Sequence, residues 1–159
     1  MTLGRHNLSV LRVDLGLDLL RGALTMDPKQ TVQAFIDAIN TQDWSKLDSL
    51  VATNFVRHSF AAGDPPVRSR SDLVMFLRRE FEIFPDAQEG ILDIFAEGDK
   101  VAVRHHFSGT QRGAMDLYPA TDKIMNGEYI AIYRVRNGQI IEAWAEWDNL
   151  GGLRQLGHL

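Results

Sequence analysis

The feature that most constrains the fold is the dipeptide Asn137-Gly138, set between two strand-like runs, IMNGEYIAIYRVR (124–136) and QIIEAWAEWD (139–148). Asn-Gly accepts positive φ at both positions, and the tight loop so formed matches the twist of two paired strands. It predicts an antiparallel hairpin and fixes its register: Arg136 opposite Gln139, Val135 opposite Ile140, and so on outward. Side chains alternate across a sheet. One face is therefore expected to carry Ile140, Glu142, Trp144, Glu146 and Asp148, opposite Val135, Tyr133, Ala131, Tyr129 and Gly127. The other is expected to carry Ile141, Ala143, Ala145 and Trp147, opposite Arg134, Ile132, Ile130 and Glu128. Two explanations compete. Either the simple face is core and the acidic face is solvated, as carboxylates usually are, or the mixed face lines a pocket and the simple face meets another subunit.

A second hairpin is expected around Gly98-Asp99, between EGILDIFA and KVAVRHHFSG. Its register puts Leu92, Ile94, Val101, Val103, His105 and Phe107 on one face and sets Asp93 opposite Arg104, an ordinary cross-strand ion pair. His105 falls on the more apolar face, so it is expected to be buried or to line a cavity. Helices precede the strands. Asp27-Pro28 is a helix start, with Val32, Phe35, Ile36 and Ile39 as its apolar stripe. Asp43 starts a short helix through Trp44, Leu47, Leu50 and Val51. A third helix is expected over about 71–84, with Leu73, Phe76, Leu77 and Phe81 on one side. NFVRHSF (54–60) reads as an extended piece and AAGDPPVRS (61–69) as a loop. Three helices followed by antiparallel strands predict an α+β fold, the helices packed on one face of a curved sheet that can hold a pocket.

The 159 residues suit one domain. The formal charge of −4 disfavours nucleic acid, whose phosphates need a basic partner. The sequence contains no cysteine, which excludes disulfides and thiolate chemistry and fits a cytoplasmic location. No run reaches the roughly 18 apolar residues of a membrane span. Residues 1–26 read as an extension to a domain over 27–159. Asp14 and Asp18 interrupt any signal-like apolar run, and Leu8, Leu11, Leu15 and Leu19 follow helical spacing.

Five segments together resemble the SnoaL-like polyketide cyclases, also called the ester cyclase family. They are FVRH (55–58), EGDKVAVRHHFSGTQRG (97–113), YPATDK (118–123), YRVRNGQIIEAW (133–144) and WDNLGGLRQLG (147–157). The resemblance implies a nuclear transport factor 2-like cone, intramolecular aldol closure without metal or organic cofactor, and an aspartate as acid/base. It favours the pocket explanation for the mixed face. Within it, Gln111 stands where the family has histidine, and Ala143, Ala145 and Glu146 depart from the family pattern.

An aldol closure or isomerisation needs a base to take a proton beside a carbonyl and a donor for the enolate oxygen. The expected acid/base group is Asp148, which matches the family's last aspartate, with Glu146 second and His58 orienting or donating. Tyr129, Tyr133 and His105 are candidate donors, and Trp144 and Phe107 are expected to shape the site for a small hydrophobic molecule. His105 and His106 are adjacent on a strand and point apart, so they cannot hold one metal together. Two other readings stand beside the cyclase or isomerase one. The first is a non-catalytic small-ligand binder. The second is an epoxide-hydrolase-like enzyme, which needs an arginine beside two acids and has only Arg104 as an obvious strand candidate. A homodimer is expected through an outer face carrying Ile130, Ile132 and Trp147.

Overall fold

A computed structural model of the protein describes residues 26–59 and 65–159, so the helix expected within 1–26 lies outside the described residues. The elements are α1 (Pro28–Asn40), α2 (Trp44–Leu50), β1 (Val51–His58), α3 (Arg70–Ile83), β2 (Gln88–Glu97), β3 (Lys100–Thr110), β4 (Ile124–Arg136), β5 (Gln139–Trp147) and α4 (Asn149–Leu156). The five strands form one open sheet in the order β1-β5-β4-β3-β2.

The α+β arrangement is the expected one, and local chemistry accounts for its helices. At the start of α1, Pro28 needs no hydrogen-bond partner for its nitrogen, and Gln30 Oε1 accepts from the Asp27 N–H at 3.3 Å. Asp43 caps α2 by accepting from the Lys46 N–H at 2.9 Å, and Ser69 caps α3 through the Asp72 N–H at 3.1 Å. Val32, Phe35, Ile36 and Ile39 of α1 are buried against the sheet with Leu73 and Leu77 of α3. Each such side chain contributes about 1.5–3 kcal/mol by leaving water.

Two features of the architecture differ from the expectation. A fourth helix, α4, follows β5. Gly151 and Gly152 give it poor intrinsic propensity, but Asp148 caps its start and Gly157 closes its end at φ 79°. The sheet is also mixed: β1 begins at Val51 and runs parallel to β5, with Arg57 beside Ala143 and His58 beside Trp144.

The main correction concerns register. The Asn137-Gly138 turn forms as expected, with φ 52° and 73°, and Val135 pairs with Ile140. The register then shifts, so that Arg134 pairs with Glu142 and Ile141 is the extra residue of a β-bulge. Each of the two β5 groupings holds beyond this point, but each faces the opposite set of β4 residues. Ala143, Ala145 and Trp147 share the inner face with Tyr133, Ala131 and Tyr129, while Glu142, Trp144 and Glu146 lie outside with Arg134, Ile132 and Ile130. The physical reason is desolvation: an unshifted strand would drive Glu142 and Glu146 into the core, where an unpaired carboxylate costs several kcal/mol.

A second bulge lies in β2. Ile91 pairs with His105 and Asp93 with Arg104, which leaves Leu92 as the extra residue, 44% exposed. Ile91 therefore takes the place expected for Leu92, and Glu89 turns inward with it. The Asp93–Arg104 pair forms as expected, Arg104 Nε donating to Asp93 Oδ2 at 2.7 Å.

Candidate functional site

The inner sheet face, α1 and α3 enclose a small cavity of about 70 Å³, whose polar wall is Arg57, Glu80, Glu89, Tyr129 and Tyr133. A larger cleft of about 880 Å³ adjoins it. Phe76, Glu80, Tyr129 and Trp147 line both, so these four side chains form the neck between them.

Glu89 is the centre of the polar wall. Backbone and side chain are both fixed: the Asn40 amide, at the end of α1, donates to the Glu89 carbonyl and accepts from its N–H, each at 2.8 Å. The Tyr129 hydroxyl donates to Glu89 Oε2 at 2.9 Å. His105 lies behind Tyr129, its ring stacked on the phenol at 4.4 Å and 1° between planes. His105 Nε2 is 3.0 Å from the Tyr133 hydroxyl, and Nδ1 is 3.6 Å from Glu89 Oε2. The Glu89 and His105 side chains are only 10% and 1% exposed.

Burial sets the electrostatics. The Glu89 carboxyl is raised from its ordinary 4.5 to about 8, chiefly because burial penalises the anion and then because Glu80 is near, while the Tyr129 hydrogen bond pulls the other way. Burial lowers His105 from 6.5 to about 4, so it is neutral at pH 7. The phenols of Tyr129 and Tyr133 are raised, again by burial first, and stay protonated donors. With His105 neutral, a Tyr133 O–H donated to Nε2 leaves the Nδ1–H facing Glu89. The wall thus holds a proton-bearing carboxyl, two phenols and a neutral imidazole, a set that can give or accept protons at neutral pH.

The residues expected from the sequence are divided between this wall and other surfaces. Tyr129, Tyr133 and His105 come together around Glu89. Phe107 is buried edge-on against Phe84, with ring centroids 5.4 Å apart, and lines the larger cleft. Trp144 and His58 stack on each other on the outer face, at 5.2 Å and 16° between planes, where His58 Nε2 is 2.9 Å from Glu142 Oε1. Glu146 is exposed on the same outer face. Asp148 lines the larger cleft, is exposed, and accepts from the Gly151 N–H at 2.9 Å as the cap of α4. Arg104 also lies outside, paired with Asp93 and Glu128.

Three members of the wall are not read from the sequence. Glu89 needs the Leu92 bulge to face inward, and Arg57 needs the parallel pairing of β1. Glu80 falls within the apolar stripe of α3, one turn after Phe76 and Leu77, where a carboxylate on the buried face was the signal that could have found it. Among the described residues, no group of three or more His, Asp or Glu is placed to hold a metal ion, and no helix is long and apolar enough to cross a membrane.

A curved-sheet α+β fold with a polar wall at the base of a cleft defines a class, and the chain belongs to the SnoaL-like polyketide cyclase family, whose model matches residues 29–156. It is similar to IdmH from Streptomyces antibioticus, a proposed polyketide cyclase, with 32% identity over 83% of this chain and 99% of that one and a TM-score of 0.75. It is also similar to AclR from Streptomyces galilaeus, a proposed hydroxylase, with 26% identity over 83% and 82% of the chains and a TM-score of 0.71. A Catenulispora acidiphila protein with a ketosteroid isomerase-like fold shares that fold at 18% identity over 80% and 92% of the chains, with a TM-score of 0.68. No curated protein matches the chain.

Proposed function

We propose that the protein is an acid/base enzyme of polyketide-cyclase or isomerase type. Its substrate is a hydrophobic carbonyl compound held in the larger cleft, with the reacting end at the neck. The observation that carries this reading is the buried Glu89 carboxyl, bonded by Tyr129 at that neck and holding its proton up to about pH 8. In this scheme Glu80, the second carboxyl lining the inner cavity, takes the proton beside the carbonyl. Tyr129 donates to the enolate oxygen, and protonated Glu89 shares its proton with it as general acid, a transfer that a glutamine cannot make. The enolate carbon then attacks a second carbonyl of the same molecule, and the alkoxide so formed is protonated, so the product is an isomer of the substrate.

The test is turnover of a synthetic linear triketone to its cyclised isomer. Glu89→Gln is expected to lower kcat by about 100-fold or more, the range of acid/base contributions, while Asp148→Asn stays within about threefold. Asp148 is the rival carboxyl because it too lines the larger cleft. The reverse result would move the chemistry to the cleft wall and overturn the role given to Glu89.

One observation favours a second reading. Arg57, Glu80 and Glu89 share a cavity of about 70 Å³, which accommodates a water molecule but not a ring. An arginine beside two acids is the arrangement a water-activating hydrolase requires. Product 18 mass units heavier than the substrate would establish hydrolysis, and product of unchanged mass would establish the isomer-forming reaction.

The same reading includes a homodimer through the outer sheet face. Phe95, Ala102, Ile132 and Trp144 fall in one row across four strands. Phe95 is 69% exposed and Ile130, one row away, is 58% exposed. A second copy of the chain would cover this apolar band. Trp147, expected in the patch, lies on the inner face instead, and Trp144 and Phe95 take its place.

A further inference from the structure

The side chain of Trp147 carries a feature that neither packing nor the acid/base scheme uses. Its indole ring ends β5 and meets the Tyr129 ring edge-on, with centroids 6.1 Å apart. Its Nε1 atom is buried and has no hydrogen-bond partner among the described residues. A buried donor left unbonded costs free energy, and that cost is recovered when an acceptor arrives. Trp147 lines both cavities, so an acceptor seated in the neck is within its surroundings. The tryptophan is also held in place from both sides: the Ala131–Ala145 and Tyr129–Trp147 pairs fix its strand, and the Asp148 cap fixes the chain after it.

The cleft beyond the neck restricts what that acceptor belongs to. Met75, Met115 and Met125 line it with Phe76, Phe84 and Phe107. Methionines and aromatic faces fit flat apolar bodies closely. The charged groups on its walls are Asp72, Arg79, Glu80, Asp116, Glu128 and Asp148, an acidic balance. Arg79 is engaged with Glu82 and the Ala114 carbonyl. That balance disfavours an anionic ligand.

We infer that the Trp147 indole N–H anchors the carbonyl oxygen of a neutral, flat, apolar ligand whose body fills the larger cleft. This rests on the proposed reading of the neck as the reacting end, and it adds the residue that selects a ketone over a hydrocarbon of the same shape. Two flat probes of matched size separate the terms: 2-acetylnaphthalene, which carries the carbonyl, and 2-ethylnaphthalene, which lacks it.

Calorimetric titration of the intact protein is expected to show the ketone binding about tenfold tighter than the hydrocarbon, the size of one desolvated hydrogen bond. In Trp147→Phe, which keeps an aromatic ring and removes the N–H, the preference is expected to fall to about twofold or less, with the hydrocarbon still bound. Circular dichroism and the melting transition of the variant check that the fold is retained. A ketone preference that survives in Trp147→Phe, a wild type without preference, or a wild type that binds neither probe would each overturn the inference. Glu89→Gln separates it from the catalytic reading. Turnover of that variant is read apart from binding, so unchanged turnover in Glu89→Gln, with the ketone preference still lost in Trp147→Phe, removes only the acid/base assignment.

Discussion

Glu89→Gln is expected to stabilise the protein in a way that depends on pH. In the folded chain the Glu89 carboxyl holds its proton up to about pH 8, while in the unfolded chain it loses it near 4.5. Between these values the folded state binds more protons than the unfolded one, so Glu89 makes wild-type stability fall as pH rises. Each pH unit in this window costs about 1.4 kcal/mol, and the whole window about 5 kcal/mol. Glutamine has no proton to lose, is close in shape to the neutral acid, and its carbonyl oxygen can still accept from Tyr129. The unfolding free energy of the variant minus that of the wild type should therefore climb by about 1.4 kcal/mol per pH unit from about pH 5 to 8 and then level off. Urea unfolding at pH 5, 6, 7, 8 and 9 measures it. His105 has the opposite dependence. Its pKa is lowered to about 4, so its contribution is intact above 6.5 and is lost as pH falls; being present in both proteins, it drops out of the difference. Parallel profiles for the two proteins would refute the reasoning, because they would mean that Glu89 titrates alike in the folded and unfolded chains.

Four further outcomes are expected. Tyr129→Phe removes the hydrogen bond that holds Glu89 down, so the alkaline limb of the pH–rate profile, where Glu89 loses its proton, should move to higher pH, with about 1–3 kcal/mol lost in chemical unfolding. Asp148→Ala should cost about 1 kcal/mol of unfolding free energy by uncapping α4, whereas Asp148→Asn keeps an acceptor for the Gly151 N–H and should lie within a few tenths of wild type. Gly113→Ala should destabilise by about 1–3 kcal/mol in the same assay, since a Cβ there would sit 2.3 Å from the Glu82 carbonyl oxygen. Ile132→Glu places a charge in the exposed apolar band and should shift sedimentation from dimer to monomer at micromolar concentration without lowering the melting temperature; a wild type that sediments as a monomer contradicts the proposed homodimer.

What the sequence made legible was whatever rests on local chemistry. Asp27-Pro28 marks α1, a stripe of four apolar residues gives its buried face, and Asn137-Gly138 places a turn with positive φ at both positions. The Asp93–Arg104 pair follows from counting outward from Gly98-Asp99. Counting works only until a strand takes up an extra residue. In β5 the count fails at Ile141, which set Glu142, Trp144 and Glu146 opposite the wrong residues of β4. In β2 it fails at Leu92, which hid Glu89. Neither bulge has a local marker: Ile141 and Leu92 are ordinary strand residues, and the shift is imposed by which side chains the assembled core can desolvate. The helix α4 was missed because two glycines mask it, although its cap at Asp148 and its stop at Gly157 are both readable. The partners of the candidate site thus depended on tertiary contacts, while three of its members, Tyr129, Tyr133 and His105, were legible from residue type and strand position.

The bulge at Ile141 means that β5 encodes two cavity linings in one stretch of chain. In the present phase the strand offers alanine, alanine and tryptophan to the interior; with Ile141 removed, the remaining residues would offer glutamate, tryptophan and glutamate instead. A single-codon deletion or insertion beside the turn is therefore a far larger change to the chemistry of this cavity than any one substitution within it.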